Sequence, residues 1–286
     1  MKNKLPLISV IIPSYNCATT IETAIMSMIE QTYKNLEIII VDDNSTDETQ
    51  KIVTGLTKKF NNIFYYKIDE VDNLRVNKRG RNINAGWRAR NYGFEKTKGE
   101  WIVFQDADDG SLLNRIEVMY SYALKFKSSH VCAQWLQFDE KLVGRSLDVP
   151  TIERDHSDIV IPSSKILEIA GDAKGLIPML LGPLHQFIPF EIKRAWIINR
   201  FFFGTLDSYP GTAHSLIKRE VMQRVKWFPL QKRIWPSFTG RGADRDFNFR
   251  VATTFRNSIC LNLPLYLWRV DRQNLDYGNY TKYLID

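Results

Sequence analysis

Hydrophobic and polar positions in the first third of the chain alternate between two periods. "LISVIIP", Leu7 to Pro13, is a continuous β-branched run closed by proline, as expected of a strand buried on both faces. "TTIETAIMSMIEQTY" follows with Ile21, Ala24, Ile25, Met28 and Ile29 at helical spacing, Thr19 or Thr20 as N-cap and Glu22 close by. "LEIIIVDD", Leu36 to Asp43, predicts a second buried strand ending in two aspartates. "NSTDETQKIVTGLTKKF" predicts a helix capped by Ser45 with acidic residues in its first turn. "NIFYYKI" reads as a third strand, "ARNYGFEKTKG" as a helix closed by Gly99, and "EWIVFQ" as a fourth strand. Strands alternating with helices imply a parallel α/β sheet with right-handed crossovers and a site at the strands' carboxyl ends. Residues 140–210 show no clear period, and no repeat, low-complexity tract or linker separates an independent domain.

Composition narrows the class. The 286 residues are 44% hydrophobic and 25% charged, as in a globular protein, and the net charge of +7 points to an anionic partner. The cysteines Cys17, Cys132 and Cys260 lie far apart with no CxxC pair, which fits a reducing compartment without a disulfide framework or zinc site. The N-terminal apolar run is too short for a signal peptide, and no stretch approaches the roughly 20 apolar residues of a spanning helix. The expected location is cytoplasmic.

The candidate chemistry sits in "QDADDG", where Asp106, Asp108 and Asp109 place three carboxylates in four residues at a strand end. Such charges repel unless a cation or arginine neutralises them, so the motif is a candidate site for Mg²⁺ or Mn²⁺, and i, i+2 spacing lets Asp106 and Asp108 point one way. The competing reading is a solvated turn with Asp109 capping the next helix. The segment does not fit an EF-hand, because Gly110 and Ser111 stand where a ligand and a glycine are needed. GxGxxG after the first strand and GxxxxGK[ST] are both absent, which disfavours dinucleotide dehydrogenases and P-loop NTPases.

"SVIIPSYNCATTIETAIMSMIEQTYKNLEIIIVDDNSTDET" followed by "RARNYGFEKTKGEWIVFQDADD" resembles the nucleotide-sugar-binding half of family 2 glycosyltransferases, and "AHSLIKREVMQRV", "GRGADRDFNFRV" and "LPLYLWRVDRQNL" are similar to the family's later segments. The resemblance implies a GT-A fold, a Rossmann-like and mainly parallel sheet flanked by helices with an irregular acceptor-binding half. It divides the chain into a nucleotide-sugar half (1–117), an acceptor and catalytic-base half (118–270) and a C-terminal tail (271–286). It implies an inverting, metal-dependent hexosyl- or N-acetylhexosaminyl-transferase. Its donor would be a nucleoside diphosphate sugar, most simply a UDP-sugar, and its acceptor a hydroxyl of a glycan or lipid-linked molecule in bacterial-type surface polysaccharide synthesis.

Position by position, the resemblance puts Pro13 and Tyr15 around the base and ribose, Asp43 on the base with Asp42 beside it, and Arg90 at the pocket's edge. Asp106 would face the ribose or a metal-bound water with Ala107 next to it, Asp108 would ligate Mn²⁺ or Mg²⁺, and Asp244 would be the general base with Asp246 as fallback. Two departures stand out: Ala243 replaces a residue that is usually acidic, and "GWRARN" has bulky Trp87 and Arg88 where small residues are common. These departures motivate an alternative, a non-catalytic GT-A-fold subunit that binds nucleotide sugar or glycan. "PSYN" argues against a nucleotidyltransferase, which needs a glycine-rich N-terminal signature.

Basic and aromatic residues interleave at 180–204 and 224–235. They suit ordinary core with an arginine rim, sugar stacking on Trp196, Trp227 or Trp235, or peripheral contact at the inner face of a membrane. No motif for nucleic acid accompanies them. Among His130, His156, His185 and His214, only His214 is a candidate, on the acceptor side.

Overall fold

The structure is a computed structural model that describes residues 5–73, 75–76, 82, 84–174, 192, 209–211, 214–229, 232–235, 242–270 and 275–286. Strands β1 (Ile8–Ser14), β2 (Leu36–Asp42), β3 (Ile63–Lys67) and β4 (Trp101–Phe104) pair in parallel in the order β3-β2-β1-β4. Helices α1 (Ile21–Ile29), α2 (Thr49–Thr57) and α3 (Trp87–Lys96) are the crossovers. The continuous apolar runs are strands because both faces of the sheet are covered. On β1 and β2, Ile8, Val10, Ile12, Ile38 and Ile40 pack with α1 and α2, while Ile11, Ile39 and Val41 face α3 and its neighbours on the other side.

Local details differ from the sequence pattern. Ser45 is not the cap of α2, which begins at Thr49; the Ser45 hydroxyl instead accepts from Asn16 N at 2.9 Å and its own N–H donates to Asp42. Helix α3 ends at Lys96, and Gly99 serves close approach rather than capping: its N–H donates to Ser9 Oγ at 2.8 Å, tying the turn to β1.

The second half extends the same sheet. After β5 (Gly110–Ser111) and α4 (Arg115–Lys125) come β6 (His130–Gln137), β7 (Ser146–Leu147), α5 (Val149–Asp155), β8 (Val160–Ile161) and α6 (Ser163–Lys174). Then follow β9 (Leu216–Lys218), α7 (Arg219–Arg224), α8 (Ala243–Phe255), β10 (Ile259–Trp268) and β11 (Leu284–Ile285). The strand order is β3-β2-β1-β4-β9-β6-β10-β5, with β9 antiparallel to both β4 and β6, and β10 parallel to β6. Residues 275–286 dock on the body: β11 pairs with β7, and Tyr277, Tyr280 and Leu284 pack against the main core. No helix among the described residues is long and apolar enough to cross a membrane. Residues 180–204, with His185 and Trp196, lie outside the described residues apart from Ile192, so their expected surface role has no structural counterpart here.

Candidate functional site

Since β4 and β6 both run antiparallel to β9, they point the same way, and β10 follows β6. The carboxyl ends of β1, β2, β4, β6 and β10 therefore open on one edge, the edge where open α/β sheets form ligand clefts.

At the end of β2 two adjacent aspartates behave differently. Asp42 is fully buried, and its carboxylate accepts from Ser45 N at 2.7 Å and from Tyr65 OH at 2.7 Å. Each of its oxygens thus accepts a hydrogen bond from inside the fold. Asp43 is also buried, with Oδ2 paired to Arg75 at 2.5 Å and accepting from Asn84 at 3.3 Å. Its Oδ1 is buried and finds no hydrogen-bond partner among the described residues, with Arg88 Nε 3.9 Å away. The Arg75 guanidinium lies 3.8 Å over the Tyr15 ring, which joins Tyr15 to Asp43 in one pocket. A buried carboxylate oxygen without a donor is costly and suited to an incoming N–H.

Gly86, the cap just before helix α3, lies in the left-handed region at φ 68°; a Cβ there would come within 2.7 Å of Arg90 and 3.2 Å of Pro13, so glycine lets the helix start against the end of β1. Arg90 is buried, bonded to Asp106 and to Ala85 O, with its guanidinium 4.5 Å from the centre of the Trp227 ring. Asn91 exchanges two hydrogen bonds with the Trp227 backbone, at 2.9 and 3.0 Å. Trp227 in turn stacks on Phe247 of α8 at 4.2 Å, which links the donor side to the second half. Trp227 and Trp235 are both buried, so they are core residues and not sugar-stacking platforms.

The acidic loop after β4 forms the centre of the site. Asp106 pairs with Arg90 through one oxygen and lies 3.0 Å from His214 Nε2 through the other. Burial opposes its ionisation, but these two partners win and hold its carboxyl below the usual carboxylate range. Asp109 is buried and accepts from Tyr266 OH and Arg269 N, each at 2.7 Å. Burial, reinforced by the charges of Asp108 and Asp106, pushes Asp109 up to about 8. Burial lowers the pKa of His214 against the pull of Asp106, which favours the neutral imidazole that metals bind.

Asp106, Asp109 and His214 offer ligand atoms within 4.8 Å of one another. Of the two residues expected at the metal, Asp106 belongs to this group. Asp108 is exposed and stands outside this group, while Asp109 and His214 join Asp106; Ala107 is buried between the aspartates. Beneath them Arg115, fully buried, donates to Gln105 Oε1, Ser111 Oγ and Phe104 O, each at 2.9 Å, and to His214 O. It fastens the loop to the segment that carries His214, which also stacks on Tyr266 at 3.7 Å. No local signal marks His214 as a neighbour of Asp106; its place follows from β9 pairing between β4 and β6.

On α8, Asp244 is half-buried in the first turn. Asp246 is fully buried, with Oδ1 accepting from the N–H groups of Ile234 and Trp235 and Oδ2 from Arg250 Nε at 2.8 Å. Both oxygens of Asp246 thus accept from donors inside the fold, and of the two aspartates Asp244 is the more accessible. Within α8, Arg250 makes the ion pair with Asp246.

A sequence model of glycosyl transferase family 2 matches residues 9–165, more than half of the chain. The chain belongs to glycosyl transferase family 2. Among relatives of this family member, the GalNAc(5)-diNAcBac-PP-undecaprenol beta-1,3-glucosyltransferase of Campylobacter jejuni is 36% identical over 152 residues, covering 53% of this chain and 45% of the relative. The UDP-Glc:alpha-D-GlcNAc-diphosphoundecaprenol beta-1,3-glucosyltransferase WfaP of Escherichia coli is 35% identical over 130 residues, covering 44% and 46%. The chain thus spans about half the length of these curated relatives. In fold it is similar to S. aureus TarS 1-349 in complex with UDP, with TM-score 0.55 and 15% identity over 96% of this chain and 63% of that one. It is also similar to the mannosyltransferase PcManGT from Pyrobaculum calidifontis in complex with GDP-Man and Mn²⁺, with TM-score 0.52 and 18% identity over 95% and 59%. These likenesses show the GT-A type of fold expected from the sequence.

Proposed function

We propose that the chain transfers a sugar, with inversion, from a nucleoside diphosphate sugar to a hydroxyl of a glycan or lipid-linked acceptor, at a site that takes Mn²⁺ or Mg²⁺. The observation that carries this reading is Asp43 Oδ1, a buried acceptor without a hydrogen-bond partner among the described residues, beside Tyr15 at the carboxyl edge. It suits the single imide N–H of uracil, which makes a UDP-sugar the donor of choice. TarS bound to UDP and the Escherichia coli relative named for UDP-Glc agree with that choice. Residues 1–117 then act as the donor half and 118–270 as the acceptor half.

The cluster of Asp106, Asp109 and His214 fits a divalent cation by its donor set. Two carboxylates and an imidazole suit Mn²⁺ better than Mg²⁺, which favours an all-oxygen shell. Such an ion would neutralise the charge that builds on the departing diphosphate. Arg90 orients Asp106 from the protein side, and Asp244 takes the proton from the attacking hydroxyl. A lipid-linked acceptor would bring the protein to the inner face of a membrane from the cytoplasm.

The test is a thermal-shift panel of UDP, GDP, CDP and dTDP, each with Mn²⁺ and with EDTA, on the wild type and on Asp43→Asn. Uridine nucleotides with Mn²⁺ are expected to stabilise the wild type, and Asp43→Asn should bind them about 10- to 100-fold more weakly, the equivalent of one charged hydrogen bond. Equal shifts for all bases in both proteins would remove the role of Asp43, and no shift at all would remove the donor reading.

A further inference from the structure

A cavity of about 500 Å³ opens on the same edge, beyond the acidic loop. Phe138, Asp139, Glu140 and Leu142 line it just past the end of β6, with Arg269 past the end of β10 and Thr281 from the C-terminal helical turn. Its size is that of a small-molecule site. Arg269 forms a wall shared with the loop: its backbone N–H holds Asp109 at 2.7 Å, its Nε donates to Asp108 O at 2.9 Å, and its guanidinium lies 3.7 Å over the Phe138 ring. Anything bound in the cavity is thus one side chain away from the reacting centre.

We propose that this cavity is the subsite for a neutral sugar residue of the acceptor glycan, an inference that rests on the glycosyltransferase reading above. The lining suits a pyranose, which has apolar C–H faces and hydroxyl edges. Leu142 and Phe138 supply apolar wall, while Asp139, Glu140 and Thr281 supply a polar rim that is exposed and able to accept from hydroxyls. The charge argues for a neutral ligand. Two carboxylates stand on the rim against the single Arg269 guanidinium, so an anionic sugar meets net repulsion. The strand order argues for acceptor over donor: β6 and β10 lie across β9 from β4, whereas the Tyr15–Asp43 pocket lies on β1 and β2 on the other side.

Saturation-transfer NMR on the full chain without nucleotide tests this, with methyl β-glucoside, methyl β-N-acetylglucosaminide and glucuronate as probes. The neutral glycosides are expected to show transfer and glucuronate none, and Leu142→Trp and Thr281→Trp, each of which places a large ring in the cavity lining, should each lose most of the signal. A silent wild type, a glucuronate signal equal to that of the neutral sugars, or full signal in both variants would overturn the subsite. UDP with Mn²⁺ in a thermal shift on the same proteins separates the two readings. A retained shift with lost sugar signal supports the subsite, whereas an absent shift in the wild type strikes the donor reading and leaves the sugar signals to decide the cavity.

Discussion

Asp244 and Asp246 stand two residues apart on the first turn of α8, yet one is half-buried and the other accepts three hydrogen bonds from within the fold. We expect Asp244→Asn to lower turnover by roughly two to four orders of magnitude with an unchanged melting midpoint, the pattern of a lost general base. Asp246→Asn should instead cost about 3–5 kcal/mol in urea unfolding, because it leaves Arg250 as a buried cation without its carboxylate. Wild-type stability in Asp246→Asn together with lost turnover would reverse the two roles. His214→Gln keeps a polar side chain but removes the imidazole beside Asp106, so the Mn²⁺ concentration needed for nucleotide stabilisation should rise at least about tenfold. At this scale the sequence was partly legible. "DD" and "DADD" announced carboxylates at strand ends, but which oxygen faces inward depends on Tyr65, Arg75 and Tyr266, and no residue type or spacing encodes those partners.

Elements followed their local pattern wherever the period was long and unbroken, and departed from it where packing intervened. Gly99 and Gly55 show the contrast. A Cβ on Gly99 would lie 2.5 Å from Ser9 Oγ and 2.7 Å from Ser9 N, whereas one on Gly55 meets nothing within 4 Å on an exposed face of α2. Gly99→Ala is therefore expected to destabilise by about 1–3 kcal/mol through overpacking, and Gly55→Ala to stabilise by about 0.5–1 kcal/mol through helix propensity, both read from denaturant melts. Equal effects at the two positions would mean that β1 yields at Ser9. Strands β9 and β10 escaped the sequence reading for physical reasons. Three residues, "LIK", are too few to display a period, and β10 is broken by Asn262 and Pro264, where its register against β6 shifts. Both are strands because neighbouring strands were there to pair with, a condition set by the rest of the fold.

The whole molecule couples its two halves through buried polar groups, and their titration is a property of the complete fold. His130 at the start of β6 is fully buried, with Nδ1 2.8 Å from Ser258 Oγ and Nε2 3.1 Å from Asn248 Oδ1. Burial lowers its pKa to about 4. The unfolded chain takes up that proton near pH 6.5 and the native chain does not, so the contribution is complete above about 6.5 and is lost as pH falls towards 4. Urea melts should show about 1.4 kcal/mol lost per pH unit in that window, and His130→Gln should remove this part of the slope; an unchanged slope would place the proton elsewhere. By itself the sequence determined the parallel α/β half, through apolar runs that only a doubly covered sheet can bury, and the acidic clusters at its strand ends, through their position in those runs. It also carried the resemblance that proved to be family membership. Only the tertiary structure decided that Asp109 and His214 share a centre with Asp106, that Asp42 and Asp246 are internal anchors, and that a cavity lies behind Arg269. The shared centre and the cavity wall depend on contacts between residues about a hundred or more positions apart, which exist only once β9 and β10 have joined the sheet.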